Sequence, residues 1–320
     1  MSSKKNENSN YASSLDKSNP IPSSLYKKMS NSQNIKYILA VIVLGTFLVL
    51  SPALKNDFTN WDDNFYVLNN PIISSLSLDN IRAMFTQPIA GNYHPLTILS
   101  LAFNHSFSGT NSTFAYILTN LILHLLNVCL TFYFVYLLSD KKVVVAAIVA
   151  LFFGIHPMHV ESVVWISARK DVLYAFFFLL ALLSYWYYLS AKGTGEKRKW
   201  YALLLLSFLC ALLSKPTTIV FPLVMALLYF YKTGWWNKRF VVSVLPFLIV
   251  SIGFAVLTYL TQKNSGAVEW EHPLWQSPFF ASYAFVFYIV KFVFPINLSA
   301  FYSFPNPNES LPVLYYFAPI

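Results

Sequence analysis

Eight apolar runs joined by polar connections set the terms for this chain. They fall at about residues 36–54, 114–138, 143–155, 172–190, 200–213, 218–231, 240–261 and 279–294. A helix needs about 20 apolar residues to cross a bilayer. Inside hydrocarbon every backbone polar group must be satisfied within the protein, which leaves helices or closed barrels. Runs of this length predict an all-α fold, a polytopic membrane helix bundle of about 7–8 membrane helices. Composition agrees, because 11% charged residues is far below the roughly 25% of soluble domains. Tyr and Trp are plentiful, as expected of rings that anchor at membrane interfaces.

Two runs, 143–155 and 200–213, are short. At about 1.5 Å per residue they reach only roughly 20 Å. Their outer ends should stop within the slab, which is tolerated only where the backbone is buried in protein or lines a wet cavity. A cavity open to the outside is expected there. The run 279–294 reads either as a span or, with Lys291 and Pro295 at its end, as an interfacial or re-entrant element; the second reading is preferred.

Orientation follows from Lys and Arg. If the connections alternate from a cytoplasmic N-terminus, fifteen basic residues fall inside and six outside. The inner clusters are Lys141-Lys142, Lys192 with Lys197-Arg198-Lys199, and Lys232 with Lys238-Arg239, the positive-inside pattern. The net charge of +9 is thus a topology signal and no sign of nucleic acid. The acids Asp57, Asp62, Asp63, Asp79, Glu161, Asp171, Glu269 and Glu271 fall in or beside outer connections. Residues 1–34, rich in Ser, Asn and Lys, read as a disordered cytoplasmic tail, and residues 35–320 as one membrane-embedded module. Cys129 and Cys210 lie inside apolar runs, so no structural disulfide is expected. There is no G-x-x-x-x-G-K-[ST], G-x-G-x-x-G or C-x-x-C, hence no sign of ATP hydrolysis or redox work.

The long first outer loop, about 55–113, is the main polar element. Ser77 is suited to cap a helix starting at Leu78, with Asp79 in its first turn. Leu78, Ile81 and Phe85 would share a face and lay that helix flat on the membrane. Asn60-Trp61-Asp62-Asp63 opens the loop with two adjacent acids, candidates for a general base or a metal ligand, or else a solvated turn. The stretch His156-Pro157-Met158-His159-Val160-Glu161 leads to Trp165, Arg169, Lys170 and Asp171. Were it helical, Glu161, Trp165 and Arg169 would line one wall at i, i+4 and i+8. The plain alternative is an interfacial helix with an ordinary Glu–Arg pair. His156, His159 and Glu161 offer metal ligands without forming H-E-x-x-H. Lys215 in Ser214-Lys215-Pro216 sits where proline ends a helix, either reaching a phosphate or snorkelling. The stripe Asn120, His124, Asn127 more often joins helices than performs chemistry.

Together these strings resemble one family. Asn60-Trp61-Asp62-Asp63, Asn69-Asn70-Pro71, Asn92-Tyr93-His94-Pro95-Leu96-Thr97, Asn120 with His124, His156 to Val163, Ser167 to Asp171, Ser214-Lys215-Pro216 and Pro295-Ile296-Asn297-Leu298-Ser299 near Tyr302 occur in family order. They are similar to bacterial relatives of the transmembrane and tetratricopeptide-repeat (TMTC-like) protein O-mannosyltransferases, of the C-type glycosyltransferase (GT-C) fold. The resemblance implies transfer of a sugar, commonly mannose, from a polyprenyl-phosphate carrier to a Ser or Thr hydroxyl. The acceptor would be protein or glycan, and the setting the outer face of a bacterial inner membrane. It implies Asp62 or Asp63 as general base, and Arg169, Lys170 and Lys215 around the donor phosphate. Glu161 would orient an arginine, hold a metal or bind a sugar hydroxyl. Tyr93, His94, His156, His159, Trp165 and Asp171 would bind substrate or support the site. No cofactor is fixed; a divalent cation is left open, with Asp63, Glu161 and His156 as its candidate ligands. Family members usually continue through more spans into repeats, so the chain reads as truncated. The rival readings are a transporter or flippase for a lipid-linked sugar, and an inactive scaffold.

Overall fold

The computed structural model describes residues 32–266, 273–306 and 310–318. Most of the expected tail, together with Glu269 and Glu271, lies outside the described residues. In chain order the α-helices are α1 (Ser32–Leu50), α2 (Leu78–Thr86), α3 (Pro95–Ser108), α4 (Phe114–Leu138), α5 (Val143–Ile155), α6 (Val160–Val164), α7 (Arg169–Ser190), α8 (Thr194–Ser214), α9 (Phe221–Thr233), α10 (Lys238–Asn264), α11 (Ser277–Val293) and α12 (Val313–Phe317). Short 3-10 turns link several of them, and no strand occurs among the described residues. The fold is an all-α membrane bundle.

Among the described residues five stretches are long and apolar enough to cross a membrane: Gln33–Lys55, Phe114–Leu138, Ile166–Ser190, Pro216–Thr233 and Phe240–Asn264. A sixth arises if α5 and Pro157–Val164, which meet at a bend of 53°, count as one broken span. The expected count of seven to eight is therefore not reached by these criteria. One expected short span is corrected. The run 200–213 belongs to the 21-residue α8, which begins at Thr194 and takes Lys197, Arg198 and Lys199 into its first turns. Its charged start, rather than a short helix, interrupts the apolar pattern.

The outer surface of the bundle is greasy. Val41 on α1 is 69% exposed and Val242 on α10 is 72% exposed. A chain in water would not carry rows of such residues; in lipid they face their solvent. Inside, α7, α8, α9 and α10 share an aromatic core in which Phe208 packs against Phe221 and Phe247 at 5.5 and 5.0 Å between ring centres. α1, α4 and α5 pack through Ile42, Val128, Phe132, Ala146 and Ala150. Gly154 lets α5 approach α1 closely, since a Cβ there would collide with the side chain of Thr46.

The two ends of the bundle differ. At one end Tyr231 donates to the carbonyl of Leu138 at 2.9 Å and Lys232 lies 4.0 Å from the centre of the Trp186 ring. This end gathers the connections at 139–142, 191–193 and 234–237. At the other end the 56–113 loop folds over the helix ends with a core of its own, including Tyr66, Ile73, Met84, Ile98, Leu101, Tyr116 and Ile166. Within it Ser77 caps α2 by accepting from the Asn80 N–H at 3.2 Å, and Asp79 lies in the first turn. The expected apolar face is adjusted: Leu78 stays 86% exposed while Met84 is buried, flanked by half-buried Ile81 and Phe85.

α5 does end early, and the polar stripe on α4 explains how. The first turn of broken backbone after Ile155 leaves carbonyls without helical partners. His124 donates through Nε2 to the Gly154 carbonyl at 2.9 Å, and His159 through Nδ1 to the Phe153 carbonyl at 2.8 Å. Asn120 donates to the carbonyls of Val163 and Trp165 at 3.2 and 3.0 Å, and Asn127 to that of Val172 at 2.9 Å. Irregular backbone at this depth is satisfied from within the protein. His156 donates likewise to the Phe292 carbonyl at 2.9 Å, tying the end of α11 to this elbow. α10 ends at the same loop end, where Gly91 lies against Ser265. Only residues 265–276 separate α10 from α11, too short a return for a second crossing to precede α11.

Candidate active site

The expected helical wall through Glu161, Trp165 and Arg169 does not form. α6 stops at Val164, Trp165 is extended (φ −93°, ψ 123°), and a 3-10 turn at Ile166–Ala168 leads into α7. The break turns what would be one face into two adjacent acid–base layers, because each charged pair in the sequence splits its labour.

Asp63 is buried and Arg169 is wholly enclosed. Asp63 accepts from the Thr59 N–H and hydroxyl on Oδ2, both at 2.9 Å, and from the Ser167 N–H at 3.0 Å and the Ser167 hydroxyl on Oδ1. All four lone-pair positions of a carboxylate are thereby used. Arg169 donates to the Asn120 side-chain oxygen, to Ser100 Oγ at 2.6 Å and to the Tyr116 carbonyl at 2.7 Å. In this structure neither side chain has the exposure that a base, a metal ligand or a phosphate clamp needs. Both are anchors, lacking free hydrogen-bonding atoms and access.

Their neighbours face outward and toward each other. Lys170 Nζ lies 3.5 Å from the Asp62 carboxylate, with both side chains partly exposed. Lys170 also sits over the Tyr66 and Trp165 rings, 5.3 and 5.6 Å from their centres, so it is held by quadrupoles as well as by charge. Trp61 packs on Trp165 at 6.2 Å. A second pair, Lys215 with Asp171, lies alongside, with Lys215 5.7 Å from the centre of the Tyr174 ring. Lys215 is placed by the end of α8, whose Ser214 carbonyl accepts from the Thr97 hydroxyl at 2.8 Å. The Glu161 carboxylate is exposed and lies within the electrostatic reach of Lys170, Lys215 and Asp171.

His94 forms the floor. It is buried, its ring meets Tyr66 edge-on at 5.1 Å, and its Nε2 has no partner. Burial first, then Lys170 and Lys215, push its pKa down to about 3, so it is neutral at physiological pH. Tyr66, which accepts from Asn92 at 3.2 Å, is pushed up to about 12, by burial and then by Asp62. Tyr93 is not in this cluster; its hydroxyl donates to the Phe85 carbonyl at 3.0 Å and its ring meets Phe254. His156 and His159 are engaged with backbone carbonyls, and His156 Nδ1 accepts from the Met158 N–H. Asp63, Glu161 and His156 do not form a metal set, and among the described residues no three His, Cys, Asp or Glu gather to hold an ion. Sequence reasoning missed Tyr66 and Tyr174, the rings beneath the two lysines. Tyr174 stands one helical turn after Lys170 and could have been read from that spacing.

With this geometry in view, the chain's relatives are informative. It is 32% identical over 201 residues to Protein O-mannosyl-transferase TMTC1 of Mus musculus, covering 56% of this chain and 20% of the relative. It is 26% identical over 298 residues to Protein O-mannosyl-transferase F38B6.6 of Caenorhabditis elegans, covering 87% and 40%. A 37% identity to TMTC2 of Homo sapiens covers 107 residues, 33% of the chain and 12% of the relative. The chain is similar to protein O-mannosyl-transferases. It spans between about an eighth and two-fifths of the length of these relatives. No family model matches the chain, and no solved structure matches it.

Proposed function

We propose that this chain is a membrane glycosyltransferase of GT-C type. It would move a sugar, mannose by analogy with its relatives' names, from a polyprenyl-phosphate carrier to a Ser or Thr hydroxyl of a protein. The observation that carries the reading is the convergence of Asp62, Lys170 and Lys215 from three separate segments at the loop end of the bundle. The basic connections lie at the opposite end, so by the positive-inside rule the site faces outward. In this reading the membrane is a bacterial inner membrane, and α8 crosses it alongside α7.

Chemistry and geometry fit together as follows. The departing group is a phosphate at the membrane surface, and its charge grows as the sugar–phosphate bond breaks. Lys170 and Lys215 supply positive charge where that happens. The acceptor oxygen forms the new bond to the anomeric carbon from the opposite face, and its proton passes to Asp62. Polyprenyl phosphate leaves with the bonding electrons. Asp63 and Arg169 contribute by holding the Asp62 turn against the Lys170 turn. An apolar cavity of about 670 Å³ flanks α5, lined by Ile148, Phe152, Ile155, Phe292 and Val293, and suits the carrier's hydrocarbon chain.

The test replaces Asp62 and Asp63 separately by Asn in the full-length protein and measures transfer from polyprenyl-phosphate mannose. D62N is expected to lose turnover by about 10²–10⁴-fold while remaining folded. Turnover by D62N at the wild-type rate would refute the role of Asp62.

A further inference from the structure

A second cavity of about 520 Å³ adjoins the first across Pro157 and differs from it in chemistry. One wall is the elbow, with Met158, Val160 and Val164; the other is Tyr288 on α11 and the segment after it, with Leu298 and Tyr302; Glu161 also lines it. Its volume lies in the roughly 300–1,000 Å³ range of ligand sites.

We propose that this cleft receives the acceptor as an extended polypeptide, with Glu161 at the end nearest the lysines taking a hydrogen bond from the incoming chain. This rests on the transferase reading above. Four observations support it. The Glu161 carboxylate accepts no hydrogen bond and has no ion-pair partner among the described residues, yet it senses Lys170, Lys215 and Asp171. Glu161 thus joins the cleft to the electrostatic surroundings of the proposed reaction centre and is an unused acceptor. Second, the far wall is preorganised. Lys291 Nζ donates to the carbonyls of Ile296 and Asn297 at 2.7 and 3.0 Å, and Tyr302 Oη accepts from the Ser299 N–H at 2.9 Å. Asn297 takes φ +50° to close that turn. A wall already ordered does not have to be ordered on binding.

Third, among the described lining residues Lys291 is the one cation, and its ammonium is occupied by backbone carbonyls. Among the described residues the cleft thus offers no ammonium open to an anionic headgroup, whereas Lys170 and Lys215 nearby are held by partly exposed carboxylates. Fourth, aliphatic and tyrosyl walls with a single free carboxylate suit the side chains flanking a Ser or Thr. A hydrocarbon chain is better served by the adjoining cavity.

The experiment uses the full-length protein in membranes with an unstructured Ser/Thr-rich peptide. Tyr288→Ala and Leu298→Ser change exposed side chains and should leave the fold intact. Each is expected to raise the KM for peptide by about tenfold with kcat and donor KM unchanged, the signature of lost uniform binding. An unchanged peptide KM, or a rise in donor KM instead, overturns the proposal. A photoreactive benzophenone side chain at position 288 should capture the peptide, while one at Ile249 on the lipid-facing side of α10 should not. Equal capture at both, or capture of the donor sugar at 288, also overturns it. Cross-linking needs no turnover, so a chain that fails to transfer sugar would defeat the transferase reading while still testing the cleft.

Discussion

Replacing Asp63 by Asn separates an anchor from a catalyst more sharply than any other single change. Oδ2 serves the N–H and hydroxyl of Thr59, and Oδ1 serves those of Ser167. An amide offers one oxygen and one NH₂. Whichever way it turns, one backbone N–H faces a donor and is orphaned, the buried one of Ser167 or the part-buried one of Thr59, at about 1–3 kcal/mol with the larger cost for Ser167. The hydroxyl on that side can rotate and accept from the NH₂, so it costs less. The surviving bonds lose their charge assistance, which roughly halves their strength. The expected loss is about 2–4 kcal/mol. Asp62→Asn removes only a partly exposed pair at 3.5 Å, about 0–1 kcal/mol after solvent screening. Thermal unfolding of both variants in the same detergent, followed by tryptophan fluorescence, compares them directly. D63N should unfold several degrees below the wild type and D62N close to it, although D62N loses the greater share of turnover per folded molecule. If D62N loses as much stability as D63N, or D63N unfolds with the wild type, the division between anchor and base is wrong.

Three further outcomes follow from the same geometry. Arg169→Met strips one enclosed network of its donors and should cost about 3–5 kcal/mol, read as a lower unfolding midpoint, whereas Lys170→Met should leave the midpoint nearly unchanged and lower kcat by about 10²–10³-fold. His94 has a folded pKa of about 3 against 6.5 in the unfolded chain, so its neutral burial favours the fold fully above pH 6.5 and progressively less as pH falls toward 3, with a slope of up to about 1.4 kcal/mol per pH unit. The unfolding midpoint of His94→Gln should therefore fall less steeply with acid than that of the wild type; parallel curves would contradict it. Gly154→Ala forces a methyl group into Thr46 and should loosen α5 from α1, lowering the midpoint unless Thr46→Ala is added to relieve the contact.

Some of this was legible in the chain before any coordinates. Apolar length alone predicts membrane helices, because the cost of unsatisfied backbone in hydrocarbon leaves few alternatives, and α4 falls on its apolar run at both ends. Local chemistry sufficed for the Ser77 cap, for the stop at Lys215 before Pro216, and for the joining role of Asn120, His124 and Asn127. The charged doublets Asp62-Asp63 and Arg169-Lys170 also stood out as candidates. Their roles did not. Which member of a doublet is buried depends on the phase of the turn that carries it, and that phase was set by the break at Trp165, where a carbonyl bonds to an asparagine on another helix. Local spacing carries no information about a partner forty-five residues away. Only the packed structure decided that Asp63 and Arg169 face inward to hold the turns while Asp62 and Lys170 face each other across the gap.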